Sequence, residues 1–192
     1  MANPLTKSDL ISLNEYFEGE KIADVKHEFV NGMVYAVAGG SIRHGMIAGN
    51  IGATLNLALP DRCRATTGNV QLGRKDSAAG AWYHYPDVFV TCSDWDDRDY
   101  RRDDAIVIFE VLSPSTERMD RYEKFERSKT LETVQEYVLV EQSMRRFEIY
   151  RRRDRWKQEF IHPHDPLVLD SISQTLTFEQ VYRRVRFEPD PG

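Results

Sequence analysis

Residues 105–116, AIVIFEVLSPST, decide the fold. Residues 105–112 are apolar on both faces except for Glu110, which is typical of a strand buried inside a sheet. Ser113 and Pro114 then break the strand and offer a cap for a helix, which we expect from about Glu117 to Leu131. A buried strand that leads into a helix favours a fold in which helices cover a sheet.

The flanking sequence repeats this alternation of short strands and helices. Residues 85–92, YPDVFVTC, predict a second buried strand, and the charged residues 93–104 predict an exposed loop before 105–112. Further helices are expected at residues 8–20, at 42–59 after a Ser41 cap, and within 173–184. Further strands are expected on both sides of the Asn31-Gly32 turn, near 69–73, and in three segments between 135 and 161. The pattern predicts one α/β (α+β) domain over residues 1–192, with a central mixed β-sheet flanked by helices.

Composition fits one globular domain. The chain has 192 residues, of which 41% are hydrophobic, and a formal net charge of −5. The acidic balance argues against a protein that coats nucleic acid nonspecifically. No run approaches the roughly 18 apolar residues of a membrane span, and the first ten residues lack the apolar stretch of a secretory signal, so we expect a cytoplasmic protein. Cys63 and Cys92 are then expected to be reduced, buried thiols.

Two carboxylates inside otherwise apolar strands are the most informative chemical feature. Asp87 lies at the head of the strand in 85–92, and Glu110 lies within 105–112. A buried carboxylate needs a cation, a metal ion or hydrogen-bond donors nearby. If the two strands are neighbours, both carboxylates can bind one divalent ion, and oxygen ligands favour Mg²⁺ or Mn²⁺. The alternative is that each carboxylate pairs with an arginine at a strand end.

Two other charged residues can join this pair. Lys124, on the helix after Pro114, can place an ammonium over the carboxylates, or it can form an exposed surface pair with Asp120 one turn earlier. Glu28, just before the Asn31-Gly32 turn, can extend the acidic cluster or lie in solvent. The residues alone leave both alternatives open.

Several segments together resemble the Uma-type putative restriction endonucleases of the PD-(D/E)XK nuclease superfamily. They are FEVLSPST (109–116), DRYEKF (120–125), QEYVLV (135–140), YPDV (85–88) and HEFVNGMVYAVAGGSIRHG (27–45). The resemblance implies a restriction-endonuclease-like fold. It also implies that Asp87 is the motif aspartate, Glu110 the acidic residue that follows it, and Glu28 the family's N-terminal glutamate.

This sequence departs from the usual pattern at two positions. The superfamily carries a lysine two residues after the second acid, where this chain has Leu112. The resemblance implies that Lys124 takes that role from the helix. Ser128 stands where similar sequences carry a tyrosine. His44 matches a family histidine, although a helix cap or a packed histidine is the alternative, and Arg43 beside it is a candidate for phosphate binding.

The implied activity is metal-dependent hydrolysis of DNA phosphodiester bonds. Mg²⁺ or Mn²⁺ would be held by Asp87, Glu110 and the Val111 carbonyl. Glu28 would hold a second ion or the water shell of the first, and Lys124 would hold the attacking water in line or lower its pKa. Cutting both strands needs two active sites, so a homodimer is expected. The alternatives are a catalytically inactive nucleic-acid- or protein-binding module of the same fold, and a nuclease that acts on RNA or transposon ends. The arginine-rich residues 145–155 are either a solvated face or a track for the DNA backbone.

Overall fold

The computed structural model describes residues 10–37 and 39–187. The helices are α1 (Leu13–Glu20), α2 (Ile42–Ala58), a π-helical segment (Met119–Lys124) that continues directly into α3 (Phe125–Ser128), and α4 (Phe178–Val181), with short 3-10 turns at Arg152–Asp154 and Asp170–Ile172. The strands are β1 (His27–Val30), β2 (Met33–Ala36), β3 (Arg64–Thr67), β4 (Gln71–Arg74), β5 (Trp82–His84), β6 (Val88–Thr91), β7 (Arg101–Arg102), β8 (Val107–Leu112), β9 (Glu136–Glu141), β10 (Phe147–Arg151), β11 (Gln158–Ile161), β12 (Leu167–Leu169) and β13 (Gln174–Leu176).

A six-stranded mixed sheet forms the centre of the fold. Its strand order is β11-β10-β9-β8-β6-β3, and β8 and β9 are its parallel neighbours while the other pairs are antiparallel. The parallel pair requires a crossover, which the helical segment 119–128 supplies. The predicted α+β class, with a central mixed sheet flanked by helices, is confirmed.

Strand β8 separates two hydrophobic cores. Its residues Val107 and Phe109 belong to the core under helix α2, whereas Ile108 and Leu112 belong to the core that includes Phe125 of α3. Successive side chains of a strand point to opposite faces of the sheet. Glu110 therefore shares the face of Ile108 and Leu112, and the fold buries its carboxylate beneath the helical segment.

A second, five-stranded sheet covers that same face. Its order is β2-β1-β5-β4-β7, and its residues Leu72 and Trp82 belong to the core that contains Ile108. The hairpin between β1 and β2 is confirmed, with Asn31 at φ 49° and Gly32 at φ 90°, the positive values that a tight hairpin turn requires. The sequence predicted this hairpin but not a separate sheet.

Of the four predicted helices, α2 is close to its prediction, two are shorter than expected and one is divided. The helix expected over 8–20 begins at Leu13 after a Ser12 cap, and residues 8–9 lie outside the described residues. Helix α2 occupies 42–58 and has the expected cap, since the Ser41 side chain accepts a hydrogen bond from the His44 amide. The helix expected over 117–131 is shorter, and the one expected within 173–184 is divided into β13 and α4 because the Thr177 capping box starts a new helix there. No helix in the described part of the chain is both long and apolar enough to cross a membrane.

The expectation of two free thiols is wrong, because Cys63 and Cys92 form a disulfide. Arg64 of β3 pairs with Thr91 of β6, and the two cysteines flank that pair. They are therefore direct neighbours across antiparallel strands, with Cα atoms 3.9 Å apart.

A buried ion pair attaches the helical segment 119–128 to the central sheet. Arg121 donates hydrogen bonds of 2.5 and 2.9 Å to the two carboxylate oxygens of Glu148 on β10, whose side chain is only 1% exposed. Gln158 donates a third hydrogen bond to Glu148, at 2.7 Å. Burial alone would raise the pKa of Glu148, but these hydrogen bonds outweigh it and hold the pKa below its ordinary value.

Glu148→Gln should lower the free energy of unfolding at pH 7 by about 2 kcal/mol, because a charged hydrogen-bond partner of Arg121 is lost. The folded-state pKa lies below the unfolded value, so this stabilisation is present above the unfolded pKa and disappears as pH falls through the folded pKa. In urea unfolding, the difference in the free energy of unfolding between wild type and Glu148→Gln should therefore narrow from pH 7 toward pH 3. Glu117→Gln, which removes a half-exposed partner of the same arginine, is the control. A difference that stays constant over this pH range would contradict the assignment.

Candidate active site

Strand pairing places Asp87 directly opposite Glu110. Val88 of β6 pairs with Phe109 of β8, so the next position of the register joins the two acidic residues. The Asp87 amide donates to Oε2 of Glu110 at 3.3 Å, and the Val111 amide donates to Oδ2 of Asp87 at 2.7 Å. The two strands are therefore neighbours, which was the condition for a shared site, and they bring both carboxylates to one point at the end of the sheet.

Lys124 lies among three carboxylates that come from three different elements. Its Nζ is 3.3 Å from Oε1 of Glu28 on β1, 3.3 Å from Oδ1 of Asp120 one helical turn earlier, and 3.7 Å from Oε1 of Glu110. The lysine side chain is 9% exposed, and Asp120 is 2% exposed. The alternative of an exposed Asp120–Lys124 surface pair is therefore wrong.

Asp87 and Glu110 do not depend on arginine partners. Within the described residues their ion-pair partners are His44 for Asp87 and Lys124 for Glu110. The other alternative left open by the sequence, a separate arginine for each carboxylate, is also wrong. The two acidic residues share one cluster.

Burial and charge act in opposite directions on the members of this cluster. Burial raises the pKa of Glu110 well above its ordinary value and raises the pKa of Asp120, and in both cases Lys124 opposes the rise. Burial would lower the pKa of Lys124, but Glu110, Glu28 and Asp120 outweigh it and hold that pKa well above its ordinary value. The cluster thus contains a fixed positive charge and carboxylates that bind protons more readily than in water.

The fold brings His44 to the same cluster. Its Nε2 is 3.1 Å from Oδ2 of Asp87, and this hydrogen bond raises the histidine pKa against the opposing effect of burial. The backbone of Gly40 passes close to the imidazole, because a Cβ at that position would lie 2.8 Å from Nδ1 of His44. The Ser41 side chain supplies the helix cap, so the imidazole of His44 is free to contact Asp87.

Arg43 does not contact the carboxylate cluster and instead lies near Gln142 and Phe187. Its guanidinium donates to the Gln142 carbonyl at 3.4 Å and lies 5.8 Å from the ring centroid of Phe187. Arg145 lies at the same distance from that ring. Gln142 lines the same cavity as Glu110 and Lys124, so Arg43 lies beside that cavity; neither Arg43 nor Arg145 lines it.

One cavity of about 260 Å³ joins these groups. It is lined by acidic, cationic and small polar residues, among them Asp87, Glu110, Asp120, Lys124 and His44. Oε1 of Glu110 and Oδ1 of Asp120 are buried and accept no hydrogen bond from the described residues. Both oxygens face the Lys124 ammonium, at 3.7 and 3.3 Å, and each can still accept a hydrogen bond or bind a hard cation.

Asp120 is the site residue that the sequence analysis missed. An acidic residue four positions before a lysine is typical of exposed helix faces, so the pair carried no signal of burial. The signal was the resemblance segment DRYEKF, which contains both residues. Ser128, at the second departure from the family pattern, is buried with an unpaired hydroxyl, and Lys124 still reaches the carboxylates.

The arginine-rich residues 145–155 do not form the proposed DNA track as a whole. Arg146 pairs with Glu141, and Arg153 pairs with Asp170. Arg152 donates three hydrogen bonds to backbone carbonyls of the segment 129–134. Much of the positive charge of this hairpin is therefore paired with carboxylates or hydrogen-bonded to backbone carbonyls of the same chain.

A model of the Uma2 family, described as putative restriction endonuclease, matches residues 13–181. The chain belongs to the Uma2 family. An uncharacterized protein of Synechocystis sp. (strain ATCC 27184 / PCC 6803 / Kazusa), slr1290, is 32% identical over 183 residues, which cover 92% of this chain and 94% of that protein. A second uncharacterized protein of the same strain, sll1609, is 30% identical over 147 residues, or 74% of this chain and 81% of that protein.

A solved structure has the same fold. The crystal structure of a putative nuclease belonging to DUF820 from Anabaena variabilis ATCC 29413 matches with a TM-score of 0.70 and covers 90% of this chain and 97% of that chain. Its sequence is 16% identical, so the likeness concerns the fold alone. The resemblance drawn from the sequence motifs and the restriction-endonuclease-like fold that it implies are thereby confirmed.

Proposed function

We propose that this chain is a nuclease that hydrolyses DNA phosphodiester bonds with Mg²⁺ or Mn²⁺ as cofactor. One observation carries the proposal: Asp87, Glu110 and Lys124 come from two strands and a helix, and they line a single cavity. The membership of the Uma2 family supports a nuclease-like activity. The identity of the nucleic acid, the metal and the catalytic activity belong to the proposal.

The donor groups suit a hard divalent cation. Glu110, whose Oε1 accepts no hydrogen bond from the described residues, lines the same cavity as Asp87, and both carboxylates are oxygen ligands. Within the described residues, no set of three or more His, Cys, Asp or Glu side chains is arranged as a complete metal site. Magnesium is commonly bound by one or two carboxylates together with water and substrate phosphate, so two carboxylates and the Val111 carbonyl are a suitable set.

The protein's own groups have separate roles in this proposal. A bound metal ion would activate water and neutralise charge on the phosphate. Lys124 holds Glu28, Asp120 and Glu110 together and presents its ammonium to the cavity, where it favours an anionic substrate. His44 orients Asp87 through its Nε2. Arg43, beside the cavity, and Arg145, near the same Phe187 ring, are placed to contact the flanking phosphates.

Asp87→Asn should abolish both metal binding and plasmid nicking. The amide keeps the shape of the side chain but removes the negative charge that a divalent ion needs, and metal activation of water is then lost. The test is calorimetric titration of Mg²⁺ and Mn²⁺ into wild type and variant, with nicking assayed on the same samples. Asp97→Asn is the matched control, because Asp97 is 85% exposed in a loop and should leave both signals unchanged.

Two results would overturn the proposal. Nicking by wild type that persists in saturating EDTA would rule out the metal-dependent mechanism. Wild-type protein that binds no divalent ion in the titration would favour the alternative of a catalytically inactive nucleic-acid- or protein-binding module. The homodimer stays a prediction, which sedimentation analysis with and without duplex DNA can test.

A further inference from the structure

A second cavity lies beside the first and shares one residue with it. This cavity, of about 350 Å³, is lined mainly by Phe17, Glu20, Gln71, Tyr85, Tyr100 and Arg101. Tyr85 lines both cavities. The acidic cluster therefore has a neighbouring chamber of a different chemical character.

Flat aromatic and guanidinium surfaces dominate this second cavity. The guanidinium of Arg101 lies 3.9 Å from the ring centroid of Phe17 on helix α1. Tyr100, in the adjoining loop, is 74% exposed. Because burial of an apolar surface is favourable, a ligand that covers this ring gains free energy of binding. Arginine planes and aromatic rings are the surfaces on which proteins stack unpaired nucleobases.

Fixed polar groups lie among these flat surfaces. The Tyr85 hydroxyl donates to Oε1 of Glu20 at 3.0 Å, and the same oxygen accepts the His27 amide at 2.9 Å. The buried Gln71 donates from its side-chain amide to Tyr16. Amide and carboxylate groups held in place by such bonds are suited to the hydrogen-bonding edge of a base.

Tyr85 connects the two cavities through its own backbone and side chain. Its amide donates to Oε1 of Glu28 at 3.3 Å, and that oxygen is 3.3 Å from Nζ of Lys124. Its hydroxyl meets Glu20 in the second cavity. Tyr85 thus lines both cavities, and Asp87 follows only two residues later in the sequence.

We propose that the second cavity binds a single unpaired nucleobase of the nucleic acid whose phosphate enters the first cavity. This inference rests on the proposed function. A base that is stacked and paired in a duplex cannot enter such a chamber, so the preferred substrate has an unpaired base, as in a single strand or at a disrupted base pair. The proposal therefore assigns this chain a preference for unpaired over fully duplex nucleic acid.

Binding measurements in EDTA test the inference without cleavage. A fluorescently labelled single strand and the blunt duplex of the same sequence are titrated with the wild-type protein, and fluorescence anisotropy gives both dissociation constants. The single strand should bind about tenfold more tightly, and Tyr100→Ala should remove about tenfold of its affinity, as expected for loss of one stacking partner. Tyr100→Phe keeps the ring and should keep the affinity.

Phe160→Ala is the matched control. Phe160 is a half-exposed aromatic residue on β11, an edge strand of the central sheet, and it does not line the second cavity. Its loss should leave both dissociation constants unchanged. Equal affinity for single strand and duplex, no detectable binding of the single strand, or full affinity in Tyr100→Ala would each overturn the inference.

The outcome is distinguishable from that of the proposed function. Metal-dependent nicking together with equal binding of single strand and duplex would refute the base site and leave the nuclease proposal standing. A Tyr100-dependent preference for single strands, with no metal-dependent cleavage of either the single strand or plasmid DNA, would support the base site and refute the nuclease proposal.

Discussion

Replacing Glu110 by glutamine should abolish cleavage without destabilising the protein. Loss of a group outside the metal's direct ligands typically costs about 10–100-fold in activity or affinity, so loss of a proposed ligand should cost more than about 100-fold in nicking rate. The substitution keeps the size of the side chain, and its amide can still accept the hydrogen bond from the Asp87 backbone. Plasmid nicking with Mg²⁺ measures the first part of this expectation.

The stability of the same variant follows from the pKa of Glu110. Burial raises this pKa well above its ordinary value, so the folded protein binds the proton more tightly than the unfolded chain. The resulting stabilisation is present below the unfolded pKa and is lost as pH rises through the folded pKa. Metal-free wild type should therefore lose stability from pH 5 to pH 8 in urea unfolding, and Glu110→Gln should show a weaker loss.

Glu136→Gln is the control for Glu110→Gln. Glu136 is also a buried glutamate on the central sheet, but it accepts hydrogen bonds from the Asp170 and Ser171 amides and lies 3.5 Å from the Arg151 guanidinium. It does not line the cavity that Glu110 and Lys124 line. This variant should lose stability and keep its nicking activity. If Glu110→Gln were strongly destabilised and still nicked DNA, the carboxylate of Glu110 would be structural.

The part of the site built on local sequence could be predicted. Asp87 and Glu110 each interrupt an apolar strand, and such an interruption is visible in one sequence because burial of an unpaired charge is costly. The sequence left open whether the two strands are neighbours, and the structure shows that they are: the register Val88–Phe109 makes the two acidic residues direct partners. Lys124 and Glu28 had local alternatives, and only tertiary structure brings them together.

The remaining features depend on contacts that a single sequence does not contain. Strands β5 and β7 have three and two residues, which is too short for a hydrophobic alternation to reveal, so the five-stranded sheet was not predicted. The Cys63–Cys92 bond depends on the pairing of β3 with β6, and no sequence pattern predicted strand β3. The second cavity unites α1, β4 and the loop before β7, which lie far apart along the chain.

Lys124→Met should cause both the loss of cleavage and a large loss of stability. Methionine has a similar length but no charge, so Glu28, Asp120 and Glu110 would be left buried without their common cation. Removal of one partner from a buried ion pair costs about 3–5 kcal/mol, which urea unfolding of the metal-free protein at pH 8 can measure. Lys129→Met, which removes a lysine paired with the exposed Glu126, should cost less than about 1 kcal/mol.

A second substitution separates lost charge from lost packing. If the cost of Lys124→Met comes from uncompensated carboxylates, Lys124→Met/Glu110→Gln should regain more than about 1 kcal/mol relative to the single variant, because one of those charges is gone. The single variant should also be closer to wild type at pH 5 than at pH 8, since burial raises the pKa values of Glu110 and Asp120 and protonation then neutralises these two carboxylates. If the double variant is no more stable and pH has no effect, the lysine stabilises the fold through its methylene chain. The buried ammonium would then have no role in holding the acidic cluster together, and the arrangement proposed for catalysis would lose its central charge.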